Sequence, residues 1–334
     1  MRKICITPDL RGMFGGPPSF EEKISAGLRF HGVEVTYNIE TPSLDSILVI
    51  NGTKNLQKLF ELKKKGVRVV QRLGNPNFEH RFKKSKLRNY FMAEIRNYIM
   101  RIIRSKLADH VIYQSKYVEE RWISYCGKSK SAASIIYNGV DLNNFSPIGK
   151  RYQSKGDVCL ISVEGNQSVE NSNMAIGLSK KLIESGLKIE LLFFGNPHNN
   201  VGDHFSRYPF VDYKGLVPNS ELPYYYRGSN IFISTDIIAA CPNSVLESLS
   251  CGTPVLGYKL GVLPEILTNK SGFLVKPKAD LWKQDALVNV EELVDAVLLI
   301  TKKMDSFRDG ARLLAESRYD LSHMVDQYME VLFQ

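Results

Sequence analysis

The amino-acid sequence predicts an α/β protein of two Rossmann-like domains, each a parallel β-sheet covered by helices. Its 334 residues exceed the usual size of one domain. Short runs rich in β-branched residues alternate with longer helical patterns, an order typical of parallel sheets. A stretch rich in Pro, Gly and Lys at 146–150 separates these runs into two series, so we place the linker near 146–156.

The first series contains six predicted strands, at 4–6, 33–35, 47–50, 67–70, 110–113 and 134–137. The second contains five, at 158–161, 189–194, 231–233, 254–256 and 272–275. From about residue 281 onward, apolar residues recur at three- and four-residue steps and predict helices to the end. The last five residues, 330–334, match what a viral 3C-type protease leaves after tag removal, so we assign them no function.

Composition excludes several classes of protein. With 43% hydrophobic and 24% charged residues, the chain can bury two cores and is not expected to be disordered. No window reaches the roughly 18 apolar residues that cross a bilayer, and the N-terminal apolar run is too short for a signal peptide. The five cysteines are odd in number and lack metal-ligand spacing. We therefore expect a cytoplasmic protein with neither disulfides nor a bound metal.

A glycine-rich loop follows the first predicted strand. Gly12, Gly15 and Gly16 precede a helix whose predicted N-cap is Ser19, with Glu22 at the reciprocal capping position. Glycines let the backbone approach a ligand, and a helix N-terminus favours an anion. The spacing fits neither the dinucleotide-binding fingerprint nor the phosphate loop of nucleotide triphosphatases.

The densest candidate site lies at 240–255. A loop after the strand at 231–233 leads into a helix beginning near Pro242 or Asn243, with Glu247 one turn inside it. The amides of such a helix N-terminus can bind a diphosphate, and the carboxylate can accept hydrogen bonds from two ribose hydroxyls. Spacing alone equally allows Glu247 to be a solvated helix residue and Asn243 a simple cap.

Several segments together resemble a known family. The run Cys-Pro-Asn-Ser-Val-Leu-Glu-Ser-Leu-Ser-Cys-Gly-Thr-Pro-Val at 241–255, followed by 261–266 and 271–275, resembles the donor-binding block of retaining GT-B glycosyltransferases of family 4. Other segments resemble its motifs in order: Gly15-Gly16 the N-domain glycine loop, 138–141 with Phe145 the hinge motif, and 214–217 the base-side loop. The resemblance covers nearly the whole chain. It implies a GT-B fold, in which two Rossmann-like domains face a cleft.

The resemblance also implies which domain binds the acceptor and which binds the donor. Residues 1–148, joined by a C-terminal helix at about 319–334, would form the acceptor-side domain, and residues 149–318 the nucleotide-sugar donor domain. The implied reaction moves a hexose to a saccharide or lipid-linked acceptor with retained configuration, in polysaccharide or glycolipid synthesis. It needs no metal and no cofactor, because the nucleotide-sugar is itself the substrate.

The resemblance assigns the donor site residue by residue. Glu247 would hold the donor ribose, while the amides of Ser244 and Val245 would face the diphosphate. The complete implied donor-binding set is Gly15, Gly16, Gly165, Asn166, Gly195, Gly215, Asn243, Ser244, Val245 and Glu247. No side-chain nucleophile is required, because the protein mainly has to place the acceptor and neutralise phosphate charge.

Three positions depart from the family pattern. Ala239 stands where the first glutamate of the usual pair is expected, with Asp236 the nearest substitute. No arginine or lysine lies between residues 164 and 173, so phosphate charge would have to be met by helix amides, Lys259 or Arg72.

In the loop 72–77, Gly74 replaces an expected acid, which leaves Arg72 and Asn75 as the predicted catalytic residues. These departures permit an alternative, a GT-B protein that binds a nucleotide-sugar without turnover.

Charge is concentrated in the first half of the chain. Residues 1–150 carry a net charge of +13, and the remainder carries −4. The helical stretch 81–106 has nine basic residues against the single acid Glu94. Its apolar positions follow helical spacing and predict one apolar stripe: Leu87, Phe91, Ile95, Tyr98, Ile99, Ile102 and Ile103.

Such a helix suits an anionic membrane surface. Equally, the stripe could pack on the sheet of its own domain, with the charges solvated. We take Lys83, Lys84, Lys86 and Arg88 as a membrane or acceptor surface, which would make the protein peripheral on the inner face of the membrane. Nucleic acid is disfavoured, because no groove-reading or aromatic stacking motif accompanies the charges.

Overall fold

The computed structural model describes residues 1–13, 15–82, 86–167, 169–197, 201–277 and 290–334. The chain divides into two compact units. Residues 1–139 and 321–334 form the first, and residues 140–320 form the second. The predicted boundary at 148/149 lies nine residues later. Residues 140–148 pack with the second unit because Val140 pairs with Asp320, and Arg312 donates to the carbonyl groups of Leu142 and Phe145.

The first unit is a six-stranded parallel sheet with the strand order β2-β1-β3-β4-β5-β6. Its strands are β1 (Lys3–Thr7), β2 (Glu34–Thr36), β3 (Ser46–Ile50), β4 (Arg68–Leu73), β5 (His110–Tyr113) and β6 (Ala132–Ile135). The helices between them are α1 (Gly16–Phe30), α2 (Leu56–Lys64), α3 (Glu79–Phe82), α4 (Leu87–Ile102), which continues as one π-helical turn (Ile103–Leu107), and α5 (Lys116–Cys126). The strand order reverses between β1 and β3. Loops that follow these two strands therefore flank the crevice where such sheets bind ligands.

The second unit is also a six-stranded parallel sheet, in the order β12-β11-β10-β7-β8-β9. Its strands are β7 (Val158–Gln167), β8 (Ile189–Pro197), β9 (Val211–Gly215), β10 (Ile231–Ser234), β11 (Val255–Tyr258) and β12 (Gly272–Val275). Its helices are α6 (Val169–Glu184), α7 (Val201–Phe205), α8 (Leu222–Gly228), α9 (Asn243–Ser250), α10 (Leu263–Ile266), α11 (Val290–Lys302) and α12 (Met304–Arg318). Here the order reverses between β7 and β10, which makes the carboxyl ends of these two strands the expected ligand position.

The C-terminal helix, α13 (Leu321–Leu332), returns to the first unit. It packs beside α1 on one face of the sheet, where Met324, Val325 and Tyr328 join the core. On the opposite face, α2 and the π-helical turn cover a second cluster that includes Ile47, Val49 and Ile103. Both faces of the sheet are thus buried, as a parallel sheet requires.

The start of α1 differs from the prediction. The helix begins at Gly16 with Gly15 at the N-cap, and no side chain caps it, so Ser19 lies inside the first turn. Pro17 and Pro18 explain the difference, since proline is well tolerated at the first positions of a helix, where its missing N–H has no acceptor.

Candidate active site

Helix α9 places the predicted diphosphate-binding amides at the carboxyl edge of the second sheet. It begins at Asn243 after Pro242, which has an extended backbone and provides no side-chain cap. The first N–H groups of an α-helix have no acceptor within the helix. Ser244 is partly exposed and Val245 is buried. The first turn of α9 can therefore present amides to an anion, as the pattern at 241–255 predicts.

Glu247 lies one turn into α9 and is almost fully buried, with 3% of its surface exposed. Asn219 reaches it from the segment after β9, where its side-chain Nδ2 donates to Glu247 Oε1 at 3.4 Å. Tyr226 of α8 is also buried close by, and burial followed by the charge of Glu247 raises the pKa of this tyrosine. The interpretation of Glu247 as a solvated helix residue is therefore wrong, because the residue is buried and its carboxylate contacts Asn219 instead of water.

Two acids meet at the reversal point of the second sheet. Glu164 ends the regular part of β7, and Asp236 follows β10 by two residues. Thr235 Oγ1 donates to Glu164 Oε1 at 2.7 Å, which holds the two strand ends together. Burial, followed by repulsion from Asp236, raises the pKa of Glu164 to about 7. The site thus carries a carboxyl group that changes charge near neutral pH.

The predicted glycines of the second unit lie on this same edge. Gly165 and Asn166 belong to the end of β7, where the pairing with β8 shifts by a bulge before Asn166 meets Asn196. Gly195 has a positive φ of 139°, and its carbonyl oxygen accepts a 2.8 Å hydrogen bond from the Tyr213 hydroxyl. Gly215 closes β9 with a φ of 67°. Since all six strands are parallel, these positions share one side of the sheet with α9.

The departure at Ala239 leaves a buried methyl group where the resemblance expects a carboxylate. The segment 236–239 is held by hydrogen bonding and by close backbone packing. The side chain of Asp236 accepts from the amide of Ile238 at 2.9 Å, and a Cβ on Gly261 would lie 3.0 Å from the carbonyl oxygen of Ile237. Lys259, one of the predicted sources of positive charge, is exposed on the loop after β11.

In the first unit, a buried side chain of α1 holds the glycine loop that precedes this helix. Gly15 has a φ of 115°, in the region that favours glycine, and Gly16 starts α1. The buried Glu21 accepts a hydrogen bond from the amide of Leu10 at 2.8 Å. Burial is the main cause that raises the pKa of Glu21. The loop conformation is thereby tied to the first turns of α1.

Arg72 lies within β4 itself and is 1% exposed. Its guanidinium stacks on the Phe20 ring, with 3.7 Å from Cζ to the ring centroid, and Nη2 donates to Asn138 Oδ1 at 2.8 Å. Arg72 therefore links β4 to α1 and to the segment that leads out of the first unit. Arg72 is thus packed within the first unit, and its predicted role of neutralising a ligand's phosphates stays a prediction.

The loop after β4 is held by neighbours on both sides. The Trp122 indole donates to the Gly74 carbonyl at 2.8 Å, and the Gly74 amide donates to Asn51 Oδ1 at 2.8 Å. A Cβ at Gly74 would come within 2.9 Å of the Gln114 side-chain Nε2, so a larger residue would require that side chain to shift. Asn75 follows in a partly buried position. The loop is thus rigidly positioned at the carboxyl edge of its sheet.

The predicted basic surface is described in part. Lys86 and Arg88 are exposed at the start of α4, while Lys83 and Lys84 lie outside the described residues. The predicted stripe on this helix divides. Ile103 is buried and Ile99 and Ile102 are partly buried, whereas Leu87, Phe91, Ile95 and Tyr98 are exposed. The expectation that the whole stripe packs on its own sheet is therefore wrong for the first three turns.

Sequence reasoning missed Glu164 and Tyr226 as members of the site. An acid at the end of a buried strand is a usable signal for Glu164, but its meeting with Asp236 depends on β7 and β10 being neighbours. Tyr226 gives no signal, because a tyrosine in a helix usually packs in a core. Among the described residues, no group of three or more His, Cys, Asp or Glu could hold a metal ion. No described helix is long and apolar enough to cross a membrane.

Comparison with known proteins bears on the second unit and on the fold. Residues 163–312 match the family described as glycosyl transferases group 1. This segment contains the acid pair, α9 and Glu247, so the match confirms the predicted resemblance to glycosyltransferases where the candidate site lies.

Two curated relatives are glycosyltransferases. D-inositol 3-phosphate glycosyltransferase of Thermobifida fusca (strain YX) is 25% identical over 51% of this chain and 44% of its own. O-antigen chain mannosyltransferase B of Escherichia coli is 28% identical over 34% of this chain and 27% of its own. The chain thus spans less than half the length of either relative.

Solved structures resemble the whole chain. Sucrose-phosphate synthase from Thermosynechococcus elongatus has a TM-score of 0.75 at 13% identity, covering 99% of this chain and 98% of that one. The Anabaena protein Alr3699/HepE in complex with UDP has a TM-score of 0.70 at 15% identity, covering 99% of both chains. These similarities and the two six-stranded parallel sheets confirm the prediction of two Rossmann-like domains of the GT-B type.

Proposed function

We propose that this protein is a cytoplasmic glycosyltransferase that moves a hexose from a nucleotide-sugar to a saccharide or lipid-linked acceptor, in polysaccharide or glycolipid synthesis. The observation that carries the proposal is the pairing of the α9 N-terminus with the buried Glu247, inside the segment that matches group 1 glycosyltransferases. The structure of the Anabaena protein with UDP-glucose supports testing that donor first.

In this proposal the amides of Ser244 and Val245 bind the diphosphate, and the positive end of the helix dipole favours its charge. Glu247, four residues along, accepts hydrogen bonds from the ribose hydroxyls. Asn219 already donates to one of its oxygens, so the carboxylate is held in place before the donor arrives. Preorganisation of this kind reduces the entropy lost on binding.

The donor sugar would lie beside Glu164 and Asp236. Two carboxylates repel a diphosphate but accept hydrogen bonds from sugar hydroxyls, so the acid pair suits the uncharged part of the donor. It would also supply the carboxylate that Ala239 lacks. Lys259 remains the predicted cation for the phosphates in the second unit.

Transfer with retained configuration and without a metal ion forms part of the proposal. Catalysis would come from holding the acceptor against the anomeric carbon and from stabilising the departing nucleoside diphosphate with backbone amides. Activity should therefore persist in excess EDTA. The anomeric configuration of the product, read by nuclear magnetic resonance, tests retention.

The central test is the binding of nucleotide-sugars to Glu247 variants. The thermal shift of the protein should be largest for one donor among UDP-, GDP- and ADP-hexoses, because a ligand that binds the folded state stabilises it by mass action. Glu247→Gln, which keeps the size but removes the charge, should weaken donor binding by about tenfold or more, since hydrogen bonds to a charged group contribute about 1.5–3 kcal/mol.

The exposed Glu291 of α11 provides the matched control. Glu291→Gln should bind the donor as the wild type does. Equal donor affinity in wild type and Glu247→Gln would contradict the assigned role of Glu247, and the absence of any shift with all three donors would contradict the proposed function.

A second candidate function is nucleotide-sugar binding without turnover. Ala239 and the buried guanidinium of Arg72 favour it, because two groups that the resemblance places beside the reacting donor are absent from that position or already engaged. Donor binding combined with no transfer and no slow donor hydrolysis would select this alternative.

A further inference from the structure

Helix α4 exposes a row of large apolar side chains. Leu87, Phe91, Ile95 and Tyr98 are 72%, 57%, 50% and 61% exposed. Steps of four, four and three residues place them along one side of an α-helix. Single exposed apolar residues are ordinary, but a contiguous row of this size marks a surface that binds another apolar phase.

The row faces outward because the other side of α4 is already used. Asn97 is buried, and it accepts from the Asn77 amide at 2.8 Å and donates to the Asn77 carbonyl at 2.8 Å. The carbonyl of Met100 accepts from Gln71 Nε2 at 3.1 Å. A Cβ on Gly52 would lie 3.1 Å from Met100 Cγ, which shows how closely the backbone after β3 approaches the helix. Rotating the apolar row inward would break all of these contacts.

The end of α4 is fixed as well. Arg104, in the π-helical turn that continues the helix, is buried and donates to the Tyr113 hydroxyl at 2.8 Å and to the Gly127 carbonyl at 2.9 Å. The helix is thus held at both its inner face and its C-terminal end. Its apolar row is a rigid feature of the first unit.

Cations lie on both sides of the row. With about 100° of rotation per residue, Arg88 falls on one flank of the row and Arg101 on the other. Both are exposed, as is Lys86 at the start of the helix. The one acid, Glu94, is paired with Arg81 and His80, so it does not offset the arginines. The surface therefore combines an apolar centre with a cationic border.

From this arrangement we propose that α4 docks the protein on an anionic phospholipid bilayer, with the apolar row of Leu87, Phe91, Ile95 and Tyr98 inserted among the lipids and its arginines on the headgroups. The occupant must be both anionic and apolar, and a bilayer with acidic lipids meets both demands. A nucleic acid or a soluble anion offers nothing to the apolar row. Docking would deepen the proposed function by favouring a lipid-linked acceptor, although the docking itself needs no donor.

The test is co-sedimentation of the full chain with vesicles, in the absence of nucleotide-sugar. Vesicles of phosphatidylcholine with 30% phosphatidylglycerol should retain at least about tenfold more protein than phosphatidylcholine alone. The variant Leu87→Ser/Phe91→Ser/Ile95→Ser should lose most of this binding at low and at high salt. Arg88→Gln/Arg101→Gln should lose most of the preference for phosphatidylglycerol.

A matched control uses exposed apolar residues elsewhere. Phe30 at the end of α1 and Leu313 in α12 are 89% and 64% exposed, and Phe30→Ser/Leu313→Ser should sediment as the wild type does. Unchanged thermal unfolding shows that each variant is folded.

Equal sedimentation of the apolar variant and the wild type would overturn the proposal. A second result would also overturn it: the wild type does not bind acidic vesicles but forms dimers, and the apolar variant does not. In that case α4 binds a second copy of the chain. Neither result affects the donor-binding test, so the two proposals can fail separately.

Discussion

Glu164 lies at the reversal point of the second sheet, and its carboxyl group keeps its proton to a higher pH than an exposed glutamate does. Burial and the repulsion by Asp236 raise its pKa from 4.5 to about 7. Folding thus favours the protonated form. The corresponding stabilisation is complete below pH 4.5 and is lost as the pH rises to about 7.

Replacing Glu164 by Gln should remove this pH dependence. The amide is neutral and can still accept from Thr235, so the stability of Glu164→Gln relative to the wild type should rise by about 3 kcal/mol between pH 4.5 and pH 8. Urea unfolding of the second unit at both pH values measures the difference. A difference in stability that does not change with pH would show that the pKa of Glu164 is not raised in the folded protein.

At the same scale, the sequence could identify Glu247 but not its surroundings. A glutamate one turn into a helix after a Pro-Asn cap is readable from spacing. Its contacts with Asn219 and Tyr226 come from segments 21 to 28 residues away, and no local pattern encodes them. Arg72 shows a different case. The predicted strand at 67–70 ends before Arg72, whereas β4 runs to Leu73. Whether the side chain faces a ligand or Phe20 depends on packing.

Among the elements, α12 holds α9 from its far end. Arg312 Nη1 donates to the Ser250 carbonyl at 2.8 Å and to the Phe145 carbonyl at 3.0 Å. Ser250 is the last residue of α9, where unpaired carbonyl groups and the negative end of the helix dipole attract a cation. One guanidinium thus fixes the helix whose other end carries the proposed diphosphate site.

Arg312→Lys should destabilise the second unit by about 1–3 kcal/mol, because a lysine keeps the charge but cannot reproduce the planar fork that reaches several carbonyl groups. The exposed partner Glu316 supplies the control, since its ion pair lies at the surface, and Glu316→Gln should change stability by less than about 0.5 kcal/mol. Chemical unfolding of both variants makes the comparison. Equal losses in the two would assign the effect to the ion pair instead of the carbonyl contacts.

Elements with a strong local pattern were predicted well, and those that depend on context were not. Eleven of the twelve strands of the two sheets were predicted, whereas β9 was missed because Asp212 and Lys214 interrupt its apolar residues at the edge of the sheet. The α4 stripe was found by its period. Whether the stripe faces the core or the outside could not be predicted, because the spacing of apolar residues is the same in both cases.

For the molecule as a whole, α13 completes the first unit from the far end of the sequence. Tyr328 packs on Phe20 with 5.3 Å between ring centroids, and Arg68 Nε donates to the Val331 carbonyl at 2.7 Å. Gly27 of α1 gives this helix room. A Cβ placed there would lie 2.4 Å from Val325 Cγ2.

Gly27→Ala should therefore lower the melting temperature of the first unit only. The clash with a stiff β-branched side chain costs about 1–3 kcal/mol, more than the gain of about 1 kcal/mol from replacing a helical glycine. Gly177→Ala is the control in α6, because a Cβ there meets nothing within 4 Å and should be neutral or stabilising for the second unit. Differential scanning calorimetry resolves the effect if the units melt separately. A rise in Tm for both variants would mean that α13 does not pack on α1 in solution.

The placement of α13 also governs the order in which the protein can fold on the ribosome. The second unit is one continuous segment, so its core is complete as soon as residue 320 has emerged. The first unit is synthesised earlier, yet the face formed by Phe20, Ile24 and Leu28 stays uncovered until the final helix follows. The unit that is made first is therefore completed last. Until α13 has been synthesised, the exposed apolar face can aggregate unless a chaperone covers it or synthesis of the remaining residues is fast.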